Sequence, residues 1–370
     1  MLIAMEAETS SDQRPVIQAR EILDKIERGE DVYYDGVIIE GDLDISELEL
    51  PAEHLHRKGL QKVIGLSDER KVVDSQITIT NSKIQGNINF SNTYFKEDIT
   101  FTGSEFVEKA EFWDVEFGSI ANFDETKFSG DYATFWLSDF NAYGDFSGAN
   151  FVKKTDFSGA DFAEKADFIG TNFGGDAEFY RCKFYQYVSF KDATFGRPAS
   201  QEIACRIAKR NMEDLGNKAE ADYYFYKEME AIRKQNGIKG TDTLPWPWKM
   251  QLFDWLRSTR SKIWRLGRYD IFEYIFIQGI FGYGVRPLRL FGFWILMALA
   301  FALIYWYYDA VDGASAWFDY VWFSIATSAT PGYALYNPVG HYKIVTGIQA
   351  IIGTFMWAAF IATFARKWQR

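Results

Sequence analysis

Thr330, Pro331, Gly332, Tyr333 and Ala334 form a short run of backbone carbonyls and hydroxyls set between apolar segments. Oxygen ligands at fixed spacing can replace the hydration shell of an ion, so this run suits the handling of a dehydrated cation. Carbonyls align along one axis only if some residues take left-handed dihedrals, which glycine does without steric cost. Gly332 offers one such position. Ala334 would lose roughly 1 kcal/mol there, and Pro331 has a fixed φ and no N–H to bond the structure behind it. Asp309, Asp312 and Asp319 precede the run, and no Lys or Arg occurs between 290 and 342. They read either as an acidic outer vestibule that concentrates cations or as ordinary solvated loop acids.

Other chemistry finds little support. The two cysteines, Cys182 and Cys205, have no paired spacing, which fits a reducing compartment without a disulfide frame or zinc site. His54 and His56 would share a face if extended, but no second ligand pair accompanies them. There is no nucleophile–base pairing, phosphate loop or metal cluster, so neither an enzyme nor a resident cofactor is expected. The acidic N-terminal stretch lacks a basic region before an apolar core, and no signal peptide is expected.

The elements that would hold the run in place are apolar helices. Residues 290–308 and 345–364 carry no charge and are 19 and 20 residues long. At about 1.5 Å per residue, each just spans a hydrocarbon core about 30 Å thick. Between them Trp317–Ala329 is 13 residues, too short to cross. This short helix should end near Thr330 and aim its partly negative C-terminus at the ion path. Gly347 and Gly353 lie in the second span, where close helix packing would account for them.

Charge orients these spans. Residues 249–289 hold 8 basic and 3 acidic side chains, and Arg366, Lys367 and Arg370 follow the second span. The positive-inside rule then puts both chain ends in the cytoplasm of a plasma-membrane protein. Trp255, Trp264 and Tyr269 interleave with Arg257, Arg260, Lys262, Arg265 and Arg268, a pattern for a helix on the inner membrane surface. Its position before a span favours lipid over nucleic acid, which is not an expected partner. Residues 271–285 are read as an interfacial helix and elbow, against the alternative that they insert.

The middle of the chain is a repeat. Phenylalanines run from Phe90 to Phe195 in alternating steps of five and six, with one extra residue between Phe128 and Phe135. Ile79 and Ile84 extend the phase backwards, and Ile38, Leu43 and Leu48 read as an earlier, interrupted start. The residue two before each Phe, from Ile88 and Thr93 to Val188 and Ala193, is uncharged, non-aromatic and mostly small. A large and a small inward residue two apart is strand alternation, and a period of eleven signals a solenoid. Burying twenty Phe side chains at about 2 kcal/mol each outweighs local propensity, so the rings are core rather than a ligand track. A helix over residues 15–28, with Val16, Ile17, Ile22, Leu23 and Ile26 as its stripe, should cover the first coil. Helices over 201–215 and 218–235, broken at Gly216-Asn217, should cap the last coil, pair with another subunit, or both. Ile203, Ile207, Met212 and Leu215 form the apolar side of the first of these.

Units such as A-N-F-V-K from Ala149 and A-D-F-A-E from Ala160 strongly resemble the pentapeptide-repeat family in its Phe-rich variant. The resemblance implies a right-handed four-sided β-helix. The order span, half-span, loop, span resembles the two-helix potassium-channel family, whose filter reads T-V-G-Y-G. Thr330, Gly332 and Tyr333 match its Thr, first Gly and Tyr, and Pro338 matches a proline the family often carries. Pro331, Ala334 and Leu335 depart from it. That resemblance implies a selectivity filter at 330–334, whose departures leave fewer or wider sites that pass monovalent cations with weak preference between potassium and sodium. It also implies a gating hinge at Gly353, with close packing as the competing reading, and a homotetramer, because two spans and one loop cannot enclose a pore. The fold class is therefore mixed: a β-helix plus an α-helical membrane domain with two transmembrane helices and a pore helix. The expected domains are an N-terminal helical cap (1–31), a cytoplasmic β-helix (32–198), a helical connector (199–238), a linker with interfacial helices (239–289) and the channel domain (290–370). The lead reading is a tetrameric cation pore in the lipid bilayer, with the β-helix as a regulatory or assembly domain open to a cytoplasmic ligand or protein. The alternative is a membrane-anchored interaction protein with a non-conducting tether.

Overall fold

Twenty phenylalanines at a mean spacing of five and a half residues can all point inward only if the chain turns a corner after every short strand. The computed structural model, which describes residues 14–54, 64–235, 287–329 and 336–369, has this form. The chain divides into two units, Met1–Gln235 and Asn236–Arg370. In the first, two- to five-residue strands build four sheets of eight, seven, seven and six members, and all but one of the strand pairs are parallel. This is a four-sided β-helix whose longest sheet runs from Val16–Gln18 to Thr194–Phe195.

The phenylalanines stack in four columns, one per side. Phe112, Phe135, Phe157 and Phe179 follow one another at 5.0, 4.8 and 5.4 Å, with ring planes within 3° of parallel. Neighbouring columns meet edge to face, as Phe123 and Phe135 do at 80°, an arrangement that brings positive ring edges onto negative faces. Phe184 and Phe195, in the last coil, are only partly buried. The small slots are buried too, apart from the half-buried Ala193, and most of their hydroxyls are used, Thr155 being the exception. Thr126 and Thr171 donate to the carbonyls of Phe101 and Phe146 at 2.8 and 2.7 Å.

Each half-coil also turns through a left-handed residue, at 81, 92, 103, 114, 125, 137, 148, 159, 170, 181 and 192. The single step of twelve absorbs the extra residue after Phe128. It is taken up at the corner of Ser129, Gly130 and Asp131, where a Cβ on Gly130 would lie 2.1 Å from the Glu108 carbonyl.

The interrupted start is present, but its phase differs from expectation. Tyr34 aligns with Ile79 and Ile39 with Ile84, while Ile38 aligns with Lys83 and Leu43 with the small slot of Ile88. All of Ile38, Leu43 and Leu48 are buried, so hydrophobicity alone could not choose the register. Leu43 and Ile88 are 45 residues apart where later coils use 22 or 23. The surplus forms an insertion whose return strand, Glu69–Val73, carries the buried Arg70. Arg70 donates to Asp114 and Glu116 at 2.7 Å each, which pins the insertion to the coils above it.

The N-terminal helix is shorter than expected. Val16–Gln18 is a strand paired with Ile38–Glu40, and helix α1 covers only Ala19–Glu27. An open sheet edge satisfies the backbone of 16–18 better than a first helical turn would. Ile22, Leu23 and Ile26 then cover the coil. At the other end α2 (Pro198–Asp214) and α3 (Lys218–Gln235) are separated at Gly216, whose φ of +74° ends α2 with the Asn217 amide on the Met212 carbonyl. Ile203 and Leu215 are exposed, contrary to the expected apolar face, because Ala204, Ala208 and Met212 make the contact surface. Cys182 fills a small slot and Cys205 faces inward from α2; burial pushes the Cys205 thiol up to about 12 and Cys182 well above its usual value, so neither is a ready nucleophile.

Candidate functional site

The second unit is built from α4 (Pro287–Tyr307), α5 (Trp317–Ala329) and α6 (Tyr342–Gln369). The first and last are long and apolar enough to cross a membrane, over Leu288–Tyr307 and Tyr342–Ala365. The short α5 packs against both of them. Small residues allow the approach: Ala298 and Ala302 on α4 are buried, and so are Ser324, Thr327 and Ser328 on α5.

Polar side chains fix the position of α5. Gln349 of α6 is fully buried, and its amide nitrogen donates to the Ser324 carbonyl and hydroxyl at 2.9 and 2.6 Å. Its amide oxygen accepts from the Tyr305 hydroxyl at 2.7 Å, and Ser324 donates on to the Ala298 carbonyl at 2.6 Å. Three helices are thus joined through one side chain in a region where an unmet polar group has no water to turn to. Sequence reasoning missed Gln349; a lone amide in an apolar span was the available signal.

Gly353, one turn further along α6, lies against the end of α5. A Cβ there would stand 2.3 Å from the Ser328 carbonyl oxygen, whereas one on Gly347 would meet nothing within 4 Å. Close backbone contact therefore accounts for Gly353 within α6, and a hinge is not needed to explain the residue.

The expected filter residues Thr330, Pro331, Gly332, Tyr333 and Ala334 lie outside the described residues, as does the basic stretch at 249–285. The chain on either side of the expected filter segment is held in place. Ser328 rests on Gly353 before it. After it the Tyr336 hydroxyl donates to Asp319 at 3.1 Å, and Asn337–Pro338 pairs antiparallel with Val311–Asp312. Pro338 thus occupies a ladder position opposite Val311, where its missing N–H is tolerated at an edge.

The three acids play different parts. Asp309 takes the left-handed position that ends α4, with the Asp309 and Ala310 amides on the Trp306 and Tyr305 carbonyls. Its carboxylate accepts from the Tyr320 hydroxyl. Asp319 sits in the first turn of α5 and accepts the Ala316 and Ser315 amides at 2.9 Å each. Those amides hold its carboxyl below the usual value, so it stays ionised and favours the helix N-terminus. Asp312 is exposed in the two-stranded ladder. Two of the three therefore organise the loop.

Among the described residues no cluster of His, Cys, Asp or Glu is arranged to hold a metal ion. His54 is exposed, 3.4 Å from Glu69.

The family model of pentapeptide repeats (9 copies) matches residues 144–183, and that of an ion channel matches residues 293–370. No curated protein and no solved structure matches significantly. The chain joins a pentapeptide-repeat β-helix to an ion-channel-like domain, two kinds of module that are not enzymes.

Proposed function

We propose that this protein is one subunit of a homotetrameric cation channel in the cell membrane, with both termini and the β-helix on the cytoplasmic side. The observation that carries the proposal is the clamped half-span. A helix of 13 residues is bonded to both spans, and the chain leaving it is fixed again at Tyr336. A tether needs none of this. Only 22% and 17% of the two spans is buried within one chain, which leaves faces for lipid and for neighbouring copies. Thr330, Pro331, Gly332, Tyr333 and Ala334 are the filter, and Asp309, Asp312 and Asp319 supply negative charge at its outer side. The β-helix is an assembly or regulatory domain.

Single-channel recording on purified protein in a planar bilayer tests this. The expected result is cation conduction with weak preference between potassium and sodium, read as a small reversal potential under a potassium/sodium gradient. Pro331→Val with Ala334→Gly should move the reversal potential towards potassium, since the N–H and the permissive dihedral return. Mass photometry in mild detergent should give a fourfold mass. Anion permeation would overturn the reading of the loop, and a stable monomer in lipid would leave the anchored interaction protein in its place.

A further inference from the structure

One face of the β-helix departs from the pattern of the others. Trp113 and Trp136 stand directly after the core residues Phe112 and Phe135 on consecutive coils, and both are half-buried. The Asp114 amide bonds the Trp136 carbonyl at 2.8 Å, so the two indoles leave adjacent rungs of the same side. With Tyr132 they wall a cleft of about 380 Å³. Its floor is a registered column of Glu111, Thr134 and Asp156. At about 4.8 Å per rung, the two carboxylates stand roughly 10 Å apart. Asp156 is 9% exposed and accepts the Ser158 amide at 2.7 Å and the Tyr132 hydroxyl at 3.3 Å. Leu66 completes the lining, and among the described residues no Lys or Arg takes part in it. Lys154, beside it, is held by Glu178 at 3.0 Å and lies 5.7 Å from the Tyr132 ring centroid.

We propose that this cleft binds a small organic cation bearing an alkylated ammonium group. Aromatic faces attract such a cation through their quadrupoles, and more strongly once water is displaced. Glu111 and Asp156 add attraction and repel anions. A bare divalent ion does not fit, because it needs six or more oxygens within about 2.5 Å and these walls are rings. The volume lies in the range of small-molecule sites. The register slip contributes directly: the corner at Gly130 absorbs the extra residue and delivers Tyr132 as the first residue of a longer strand, Tyr132–Thr134, facing the cleft.

The test is isothermal titration of the full chain in detergent with choline, and with 3,3-dimethylbutan-1-ol, which has the same shape without the charge. Saturable choline binding is expected, with the neutral isostere about tenfold weaker or worse. Trp136→Leu should cost about tenfold in choline affinity with an unchanged circular dichroism spectrum. Trp113→Leu provides the same reading from the other wall if the first variant folds poorly. Glu111→Gln should weaken binding about threefold or more, and added salt should lessen that difference. Absent binding, equal binding of the isostere, or choline binding that survives both tryptophan substitutions would overturn the proposal. The last result would place the cation elsewhere in the chain. Conductance is not read in this experiment, so its outcome is independent of the channel reading.

Discussion

Gly353 and Gly347 lie six residues apart on α6 and answer to different constraints. A methyl group on Gly353 would force α5 or α6 to move, since the atom it meets is the Ser328 backbone. Gly353→Ala should therefore destabilise the membrane unit by about 1–3 kcal/mol. Gly347→Ala points into open space and should be neutral or raise helix stability by up to about 1 kcal/mol. Thermal melting of the purified protein in detergent distinguishes them, and equal tolerance would mean that the close contact is absent. Gln349 is the second residue on which this unit depends. Gln349→Leu leaves the Tyr305 hydroxyl and the Ser324 amide carbonyl without their partner, at about 1–3 kcal/mol. A double-mutant cycle with Ser324→Ala should give a coupling of about 0.5 kcal/mol or more, because the two side chains bond each other. Additive effects would argue that the amide acts alone.

At the scale of elements, the open end of the β-helix is a row of backbone groups awaiting another strand. Helices α2 and α3 meet it with side chains instead. Asn211 accepts the Val188 amide at 3.2 Å and donates to the Phe184 and Gln186 carbonyls at 3.1 and 2.8 Å. The Tyr224 hydroxyl accepts the Phe190 amide at 2.9 Å, and the Ser200 hydroxyl accepts that of Ala177 at 3.0 Å. Three side chains thus imitate the next rung. Asn211→Leu keeps the volume but strands three backbone groups, so it should cost about 1–3 kcal/mol. Hydrogen exchange at the Val188 amide should accelerate while Phe123, in mid-solenoid, stays protected. Unchanged protection at Val188 would show that another group closes this edge.

For the whole molecule, the β-helix stands on its phenylalanine columns. Phe162 is fully buried, 4.3 Å from Phe140 and 4.8 Å from Phe184 in near-parallel stacks. Phe162→Asp would bury an unpaired carboxylate and should cost several kcal/mol, about the range for an unmet polar group or worse. Glu164→Gln, at an exposed position of the same turn, should be within about 0.5 kcal/mol of neutral. A change at Lys165 would not be silent, because it pairs with Asp167 at 2.6 Å and lies over the Tyr143 ring. Thermal unfolding of the two variants checks the phase of the repeat, and equal damage would contradict it.

The sequence determined what is repeated and what is long. Every coil restates the same inward Phe and small residue, so the solenoid, its phase from Ile79 onward and even the slip after Phe128 could be read directly. A charge-free stretch of twenty residues carries its meaning within itself, and a glycine at the junction of two helical patterns located the break at Gly216. Tertiary structure decided the features that occur once. The register of the first coil rests on Ile39 meeting Ile84 across an insertion, where three neighbouring apolar residues were equally eligible. Arg70 finds its carboxylates 44 and 46 residues away, and Gln349 finds Ser324 and Tyr305 25 and 44 residues away. Asp309 and Asp319 read as loop charge in the sequence and serve as a helix stop and a helix start in the fold. A periodic signal is reinforced by every copy, whereas a single contact between distant residues leaves no trace until the chain has brought the two together.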